Sequence, residues 1–209
     1  GVEARPIAAG ISGHKSNNML ARVDKDVIAK QPQWMTLSCG VNDVWHGANG
    51  VPLDAYMTNI TALVDKVDAA GIKVVVLTAT MITEDPAAAN NVKLAPYNDF
   101  LRQLAKERGY PLADLSADMH DGVKQGARFT SDGVHMAFAG NKMMASGILR
   151  AFGLPEDAIA ASNARWDEMP ATTQIVVPLS ERQRKALAEA ARKAGKSIEA
   201  YVVEDRLGK

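Results

Sequence analysis

The stretch IKVVVLTAT (residues 72–80) is a continuous apolar run that ends in small and polar residues, and it decides the fold class. A strand that is apolar on both faces is typical of a parallel sheet covered by helices on both sides. Directly upstream, apolar residues recur at helical spacing, and Gly71 is placed to end the helix. These helical positions are Leu53, Tyr56, Ile60, Leu63, Val64 and Val67. The unit therefore predicts an α/β architecture.

Similar helix and strand patterns lie on both sides of this unit. Upstream we predict strands at RPIAAG (5–10) and QWMTLSCG (33–40). Between them we predict a helix, SNNMLARVDKDVIAK (16–30), with Ser16 near its N-cap. Downstream we predict a helix marked by Leu94, Tyr97, Leu101 and Leu104, then a short strand, PLADL (111–115), and a helix, AFAGNKMMASGILRAF (137–152). The alternation predicts a three-layer α/β/α sandwich around a parallel sheet.

The composition excludes some classes of function. The 209 residues contain 24 basic and 24 acidic side chains, so no overall charge favours nucleic acid or an anionic membrane. No apolar run reaches the roughly 18 residues that a bilayer crossing needs. Cys39 is the single cysteine, and the four histidines lack the spacing of a helical zinc site, so no pattern of these residues indicates a metal or another cofactor. The first ten residues lack the pattern of a signal peptide, which suggests a processed or truncated start and leaves a periplasmic, secreted or cytoplasmic location open.

The composition changes after Pro155, and the stretch from Ala158 to Thr173 is rich in Ala, Ser, Asn and Thr, which is typical of a linker or of a segment that lies along the surface. We predict a hydrolase-sized domain over residues 1–154, a linker over 155–171 and a strand–helix–helix extension over 172–209. In the extension, Ser180 and Gln183 form a candidate capping box, and Gly195 separates the two helices. The extension has a net charge of +3, and we expect it to pack on the main body or on a second subunit, which would make a homo-oligomer.

The stretch SDGVHM (131–136) places an aspartate three residues before a histidine, at a turn that precedes a predicted helix. An aspartate that accepts a hydrogen bond from one imidazole nitrogen fixes the tautomer and leaves the other nitrogen free to act as a base. Asp132 and His135 are thus candidates for the orienter and the base of a triad. Taken alone, a stretch this short favours a turn whose aspartate caps the helix, with an exposed histidine beside it.

Three short motifs follow predicted strands, where open α/β sheets place their sites: GISG (10–13), GVND (40–43) and DGVH (132–135). In this order they resemble the second, third and fifth sequence blocks of the SGNH hydrolases, the GDSL esterase and lipase superfamily. The resemblance covers about residues 6–154. It implies a flavodoxin-like three-layer fold and hydrolysis of a small or carbohydrate-linked acyl ester through an acyl-enzyme.

The resemblance also implies a role for four residues. Gly13 would donate its backbone N–H, and Asn42 its side-chain amide, to the oxyanion of a tetrahedral intermediate. His135 would take the proton from a serine, with Asp132 orienting the ring. The purely structural alternatives are a turn glycine at Gly13 and an Asx turn at the end of the strand, formed by Asn42 and Asp43.

One element of the family pattern is absent: the chain contains no GDS block, which carries the nucleophilic serine. We therefore expect the nucleophile upstream of Gly1 or in a partner chain. Ser12, Ser16 and Ser38 are nearby substitutes, but none follows the expected strand-to-helix pattern.

Two alternatives belong to other functional classes. The extension weakly resembles ribbon–helix–helix domains, in which Thr173 and Gln174 would face base edges in duplex DNA, although its small charge argues against nucleic acid as a partner. A pseudoenzyme that binds esters or glycans without cleaving them is the second alternative. Trp45 and His46 are either entrance residues or ordinary loop residues, and Glu84 either faces the cleft or caps the next helix.

Overall fold

The computed structural model describes residues 4–168, 180–198 and 201–202. The chain divides into two units, Gly1–Met169 and Pro170–Lys209. The first unit contains, in chain order, α1 (Ser16–Asp26), β1 (Trp34–Ser38), α2 (Val41–Trp45), α3 (Leu53–Ala69), β2 (Lys73–Leu77), α4 (Ala89–Arg108), β3 (Leu112–Ala113), α5 (Leu115–Lys124), α6 (Phe138–Ala151) and α7 (Glu156–Asp167). The second contains α8 (Glu181–Lys193).

The sheet is parallel, with the order β1–β2–β3, as the apolar run predicts. Val75 lies opposite Thr36 of β1, and Leu77 lies opposite Ala113 of β3. The central strand β2 is buried at every position except Lys73. Its side chains therefore meet protein on both faces of the sheet.

Helices cover the sheet on both faces. Val74 and Val76 pack in a core cluster that includes Ile60 of α3 and Leu101 of α4. Val75 and Leu77 point to the other face and pack in a second cluster that includes Ile148 of α6. The alternation of side chains along one strand thus produces the three-layer sandwich, and the predicted fold class is confirmed.

The prediction of a strand at RPIAAG is wrong. Residues 5–10 are irregular and mostly exposed, and in the described part of the chain β1 forms a ladder with β2 only. Backbone groups form a strand only when a neighbouring strand completes their hydrogen bonds. Here the segment is held instead by a side chain, because Arg22 Nη1 donates to Ala9 O over 2.6 Å.

The linker predicted over 155–171 contains a helix. α7 packs on α6: Ile159 is buried, and Asn163 Nδ2 donates to Ser146 Oγ over 3.1 Å. Lys142 and Asp167 form an ion pair of 2.6 Å between the same two helices. The Ala-rich composition that suggests a linker also favours a helix once Ile159 has a surface on which to pack.

The extension is described only in part. Ser180 and Gln183 form the predicted capping box at the start of α8, and Gly195 has a φ of +66° just beyond its end. The predicted strand at TTQIVVPLS (172–180) lies outside the described residues except for Ser180, as does most of the second helix. No helix within the described ranges combines enough length with enough apolar character to cross a bilayer.

Candidate active site

The loop between α5 and α6 brings Asp132 and His135 into contact. Asp132 Oδ2 lies 2.7 Å from His135 Nδ1. The other carboxylate oxygen, Oδ1, accepts the backbone N–H groups of Val134 over 3.0 Å and of His135 over 2.8 Å. Gly133 between them has a φ of +97°, which an L side chain rarely adopts. The tight loop therefore allows the two side chains to meet.

These contacts determine the charge of Asp132. The backbone N–H of His135, then its imidazole and then the N–H of Val134 hold the pKa of the Asp132 carboxyl well below its usual range. Asp132 is therefore a carboxylate at neutral pH and accepts the Nδ1–H of His135. When the imidazole is neutral, this hydrogen bond leaves Nε2 as the unprotonated nitrogen, on a side chain that is 67% exposed. Nε2 can act as a base toward a group that approaches from solvent.

The GVND segment lies at the carboxyl end of β1 and forms the start of α2. Gly40 has a φ of +134°, and a Cβ added there would lie only 3.0 Å from Ala79 Cβ. Asp43 is almost fully buried and accepts the Ser16 N–H over 3.0 Å and the Cys39 thiol over 3.3 Å. Burial, together with the Asp43 charge, raises the pKa of the Cys39 thiol. Asp43 thus joins the end of β1 to the start of α1 through buried hydrogen bonds to Cys39 and Ser16.

Asn42 and His14, the residue directly after the GISG motif, line a small cavity, whereas Gly13 is not among its lining residues. Asn42 Nδ2 donates to the backbone carbonyl of His14 over 3.1 Å, directly after Gly13, which has a φ of +76°. The cavity has a volume of about 150 Å³ and lies where β1 and β2 end; it is lined by His14, Ser38, Cys39, Gly40, Val41, Asn42, Ala79 and Thr80. His14 Nδ1 is buried and lacks a hydrogen-bond partner among the described residues. The cavity is therefore small and polar.

Trp45 connects this cavity with the Asp132–His135 loop. Its ring centroid lies 6.2 Å from that of His135 in an edge arrangement, and Trp45 occupies the same short helix, α2, as Asn42. Trp45 remains 44% exposed. Asn42 of α2 lines the cavity, and Trp45 of the same helix contacts the His135 ring. Asn42 and His135 therefore lie at the same end of the sheet.

The nearby serines have different surroundings. Ser16 is fully buried, and its Oγ accepts from Asn59 Nδ2 over 3.1 Å. Ser38 lines the cavity, Ser12 is exposed, and Ser131 Oγ donates to the backbone carbonyl of His135 over 3.2 Å. Within the described ranges, no serine hydroxyl is hydrogen-bonded to the His135 ring.

Glu84 has a role that neither sequence interpretation anticipated. It does not cap α4; its Oε1 accepts the backbone N–H groups of Phe129 and Thr130. These donors lie about 45 residues further along the chain, so no local pattern could reveal them.

A larger groove of about 530 Å³ between α4 and α5 is lined by none of the four candidate residues. The described residues contain no group of three or more His, Cys, Asp or Glu side chains that could hold a metal ion.

A three-layer sandwich with an Asp–His pair and an asparagine amide at one end of its parallel sheet is the arrangement of an ester hydrolase of the SGNH type. Residues 2–143 match the GDSL-like lipase/acylhydrolase family, and the chain belongs to this family. The enzyme class is accordingly that of the carboxylic ester hydrolases.

Similar proteins include acetylxylan esterases. The acetylxylan esterase of Geobacillus stearothermophilus is 27% identical over 158 residues, which cover 71% of this chain and 72% of that protein. The crystal structure of the acetyl xylan esterase AlAXEase is 30% identical, has a TM-score of 0.66, and aligns over 68% of this chain and 78% of its own. The crystal structure of the Geobacillus enzyme has a TM-score of 0.65 and aligns over 70% of this chain and 71% of its own. Catalytic mutants of that enzyme include changes at a serine and at an aspartate.

Proposed function

We propose that the protein removes acetyl groups from the hydroxyls of a xylan-type carbohydrate by a serine-dependent acyl-enzyme mechanism. The observation that carries the proposal is the 2.7 Å bond between Asp132 and His135, at the same end of the sheet as Asn42. The acetylxylan esterases among its relatives support the choice of substrate. Release of acetate from acetylated xylo-oligosaccharides by the full-length protein tests it, and the absence of release would contradict it.

In this mechanism His135 is first a base and then an acid. Its Nε2 takes the proton of the serine hydroxyl as the serine oxygen attacks the acetyl carbonyl. Asp132 stabilises the imidazolium that forms. The proton then passes to the sugar oxygen as the C–O bond breaks, which leaves an acetyl-serine. A water molecule, deprotonated by the same nitrogen, releases acetate and restores the serine.

Asn42 and Gly13 would stabilise the tetrahedral intermediates of both steps. One N–H of the Asn42 amide is already used by the His14 carbonyl, and the second remains to donate to an oxyanion. The backbone N–H of Gly13 would supply the other donor. Such a donor typically contributes about 3 kcal/mol to transition-state stabilisation.

The serine itself is expected in residues that precede this sequence. The absence of a GDS block supports this, as do the burial of Ser16 and the backbone contact of Ser131. Without such a serine the same pocket would bind acetylated sugars and leave them intact, which is the pseudoenzyme alternative.

Trp45 is proposed as a contact for the sugar. The residue is 44% exposed beside the His135 ring, so a pyranose ring held for attack at its acetyl group can pack against the indole face. An aromatic side chain offers a large apolar surface to the C–H face of a sugar. The acetyl group of a small aryl ester would need no such contact.

We expect Trp45→Ala to raise KM for an acetylated xylo-oligosaccharide about tenfold, equivalent to about 1.4 kcal/mol of binding, with kcat/KM for 4-nitrophenyl acetate within about twofold. Trp34→Ala is the matched control. Trp34 is 40% exposed, packs on Phe152 and lies under Lys73, without contact with His135. Equal losses on both substrates would contradict a sugar-specific role for Trp45.

The DNA-binding alternative is not favoured. Three of the basic side chains of α8 pair with glutamates of the same helix: Arg184 and Lys185 with Glu181, and Lys193 with Glu189. Charges paired in this way contribute less to phosphate binding. The domain boundaries at 154 and 171 and an oligomer formed through the extension remain proposals.

A further inference from the structure

Glu84 holds the loop that carries the Asp132–His135 pair. It lies between β2 and α4, and its side chain is only 14% exposed. Its Oε1 accepts the backbone N–H of Phe129 over 2.7 Å, the backbone N–H of Thr130 over 2.6 Å and the Thr130 hydroxyl over 2.7 Å. Three donors from two adjacent residues thus converge on one oxygen.

These bonds favour the ionised form of Glu84. Burial raises the pKa of its carboxyl, but the hydrogen bonds from Thr130 and Phe129 and the charge of Arg128 lower it by more, so the pKa lies below its ordinary value. Arg128 contributes little, because its Nε is 3.7 Å from Glu84 Oε2 and its side chain is 87% exposed. A carboxylate that accepts several N–H groups is a strong anchor for a backbone segment.

The residue before Glu84 makes a second connection to the same loop. Thr83 has a φ of +69°, unusual for a β-branched residue, and its N–H donates to Gly133 O over 2.6 Å. The Thr130 hydroxyl in turn accepts the Gly133 N–H over 3.1 Å. The loop is therefore fixed both before Asp132 and directly after it.

The segment that contains Thr83 and Glu84 is itself fixed by the buried Asn91 of α4. Asn91 Oδ1 accepts the Ile82 N–H over 2.7 Å, and its Nδ2 donates to the carbonyls of Thr83 and Asp85. Hydrogen bonds therefore run from α4 through residues 82–85 to Phe129, Thr130 and Gly133 of the loop. Asp132, which contacts the imidazole, lies in the chain between Thr130 and Gly133.

We infer that Glu84 is a positioning residue for His135: it fixes residues 129–130 so that the Asp132–His135 pair stays beside Trp45, at the end of the sheet that carries Asn42. The inference rests on the proposed hydrolysis for its catalytic readout. Glu84 itself touches neither the imidazole nor the cavity lining.

The test compares Glu84→Ala, Glu84→Gln and the surface control Glu107→Ala in the full-length protein. For 4-nitrophenyl acetate, we expect Glu84→Ala to lower kcat about 10- to 100-fold with KM within about twofold, because a displaced base weakens the chemical step more than binding. Glu84→Gln keeps a carbonyl oxygen for both backbone N–H groups and should stay within about fivefold of the wild-type kcat. Glu107→Ala should change neither constant.

Hydrogen exchange supplies a readout that does not depend on turnover. The peptide spanning residues 128–137 contains the amides that Glu84 binds, so we expect its exchange to accelerate in Glu84→Ala and to remain near wild type in Glu84→Gln. If Glu84→Ala does not fold, Thr130→Val, which removes the hydroxyl donor, should show the same changes to a smaller extent.

Unchanged exchange in this peptide, an unchanged kcat, or equal losses in the alanine and glutamine variants would overturn the inference. A wild-type protein without turnover would defeat the proposed function instead, and the exchange of residues 128–137 would still decide whether Glu84 positions the loop.

Discussion

Replacing His135 with alanine in the full-length protein is expected to lower kcat for acetate esters by about 10⁴-fold or more, because the serine loses its base and the leaving group its acid. KM should change little, since the imidazole contributes mainly in the transition state. His120→Ala is the matched control: His120 is half-buried on α5 and lines the larger groove. Steady-state rates on 4-nitrophenyl acetate measure both variants.

Asp132→Asn should approach the same loss, about 10⁴-fold in kcat, since an amide in that position can stabilise the wrong imidazole tautomer. Its carbonyl can still accept the two backbone N–H groups that Oδ1 binds, so the loop should keep its shape. Asp121→Asn, which removes an exposed ion-pair partner of Lys124, should retain full activity. A fully active Asp132→Asn or His135→Ala variant would remove the pair from the mechanism.

Asn42→Ala is expected to lower kcat by about 10²- to 10³-fold, because an oxyanion donor acts mainly after the carbonyl oxygen has gained charge. The change also removes the bond to the His14 carbonyl, so stability has to be measured alongside activity. Asn163→Ala removes a comparable amide bond, to Ser146, outside the site and serves as the control for stability. A rise in KM with unchanged kcat would instead assign Asn42 to ground-state binding.

The fold could be predicted from β2, because the residues of this strand are apolar on both faces of the sheet. Val74, Val75, Val76 and Leu77 form an unbroken apolar run only because helices cover both sides of the sheet. The run RPIAAG shows the limit of this argument. Its composition permits a strand, yet a strand needs a partner, and in the described residues the ladders of the sheet join only β1, β2 and β3.

In α7 the error has the opposite sign: the composition of the segment suggests a linker, but residues 156–167 form a helix. The decisive contact is the burial of Ile159 against α6, and no pattern within residues 156–167 specifies that surface. Predictions from composition are weakest where a segment is weakly apolar and gains its structure from a neighbour.

In the candidate site, too, contacts between residues close in sequence could be predicted, and contacts between distant segments could not. Asp132 and His135 are three residues apart, so the sequence itself could suggest their contact. Glu84 binds a loop about 45 residues away, and Thr83 adopts a backbone conformation that threonine normally avoids. Interactions between distant segments, and strain imposed by them, leave no local pattern.

Serine-directed labelling with a fluorophosphonate, followed by peptide mapping, tests the serine esterase assignment most directly. In the full-length protein we expect stoichiometric modification of one serine in a GDS context upstream of residue 1, lost in His135→Ala, and no labelling of the 209-residue chain alone. Stoichiometric labelling of Ser12, Ser16 or Ser38, abolished by His135→Ala, would contradict the upstream nucleophile. A full-length protein that takes up no label would contradict serine catalysis altogether.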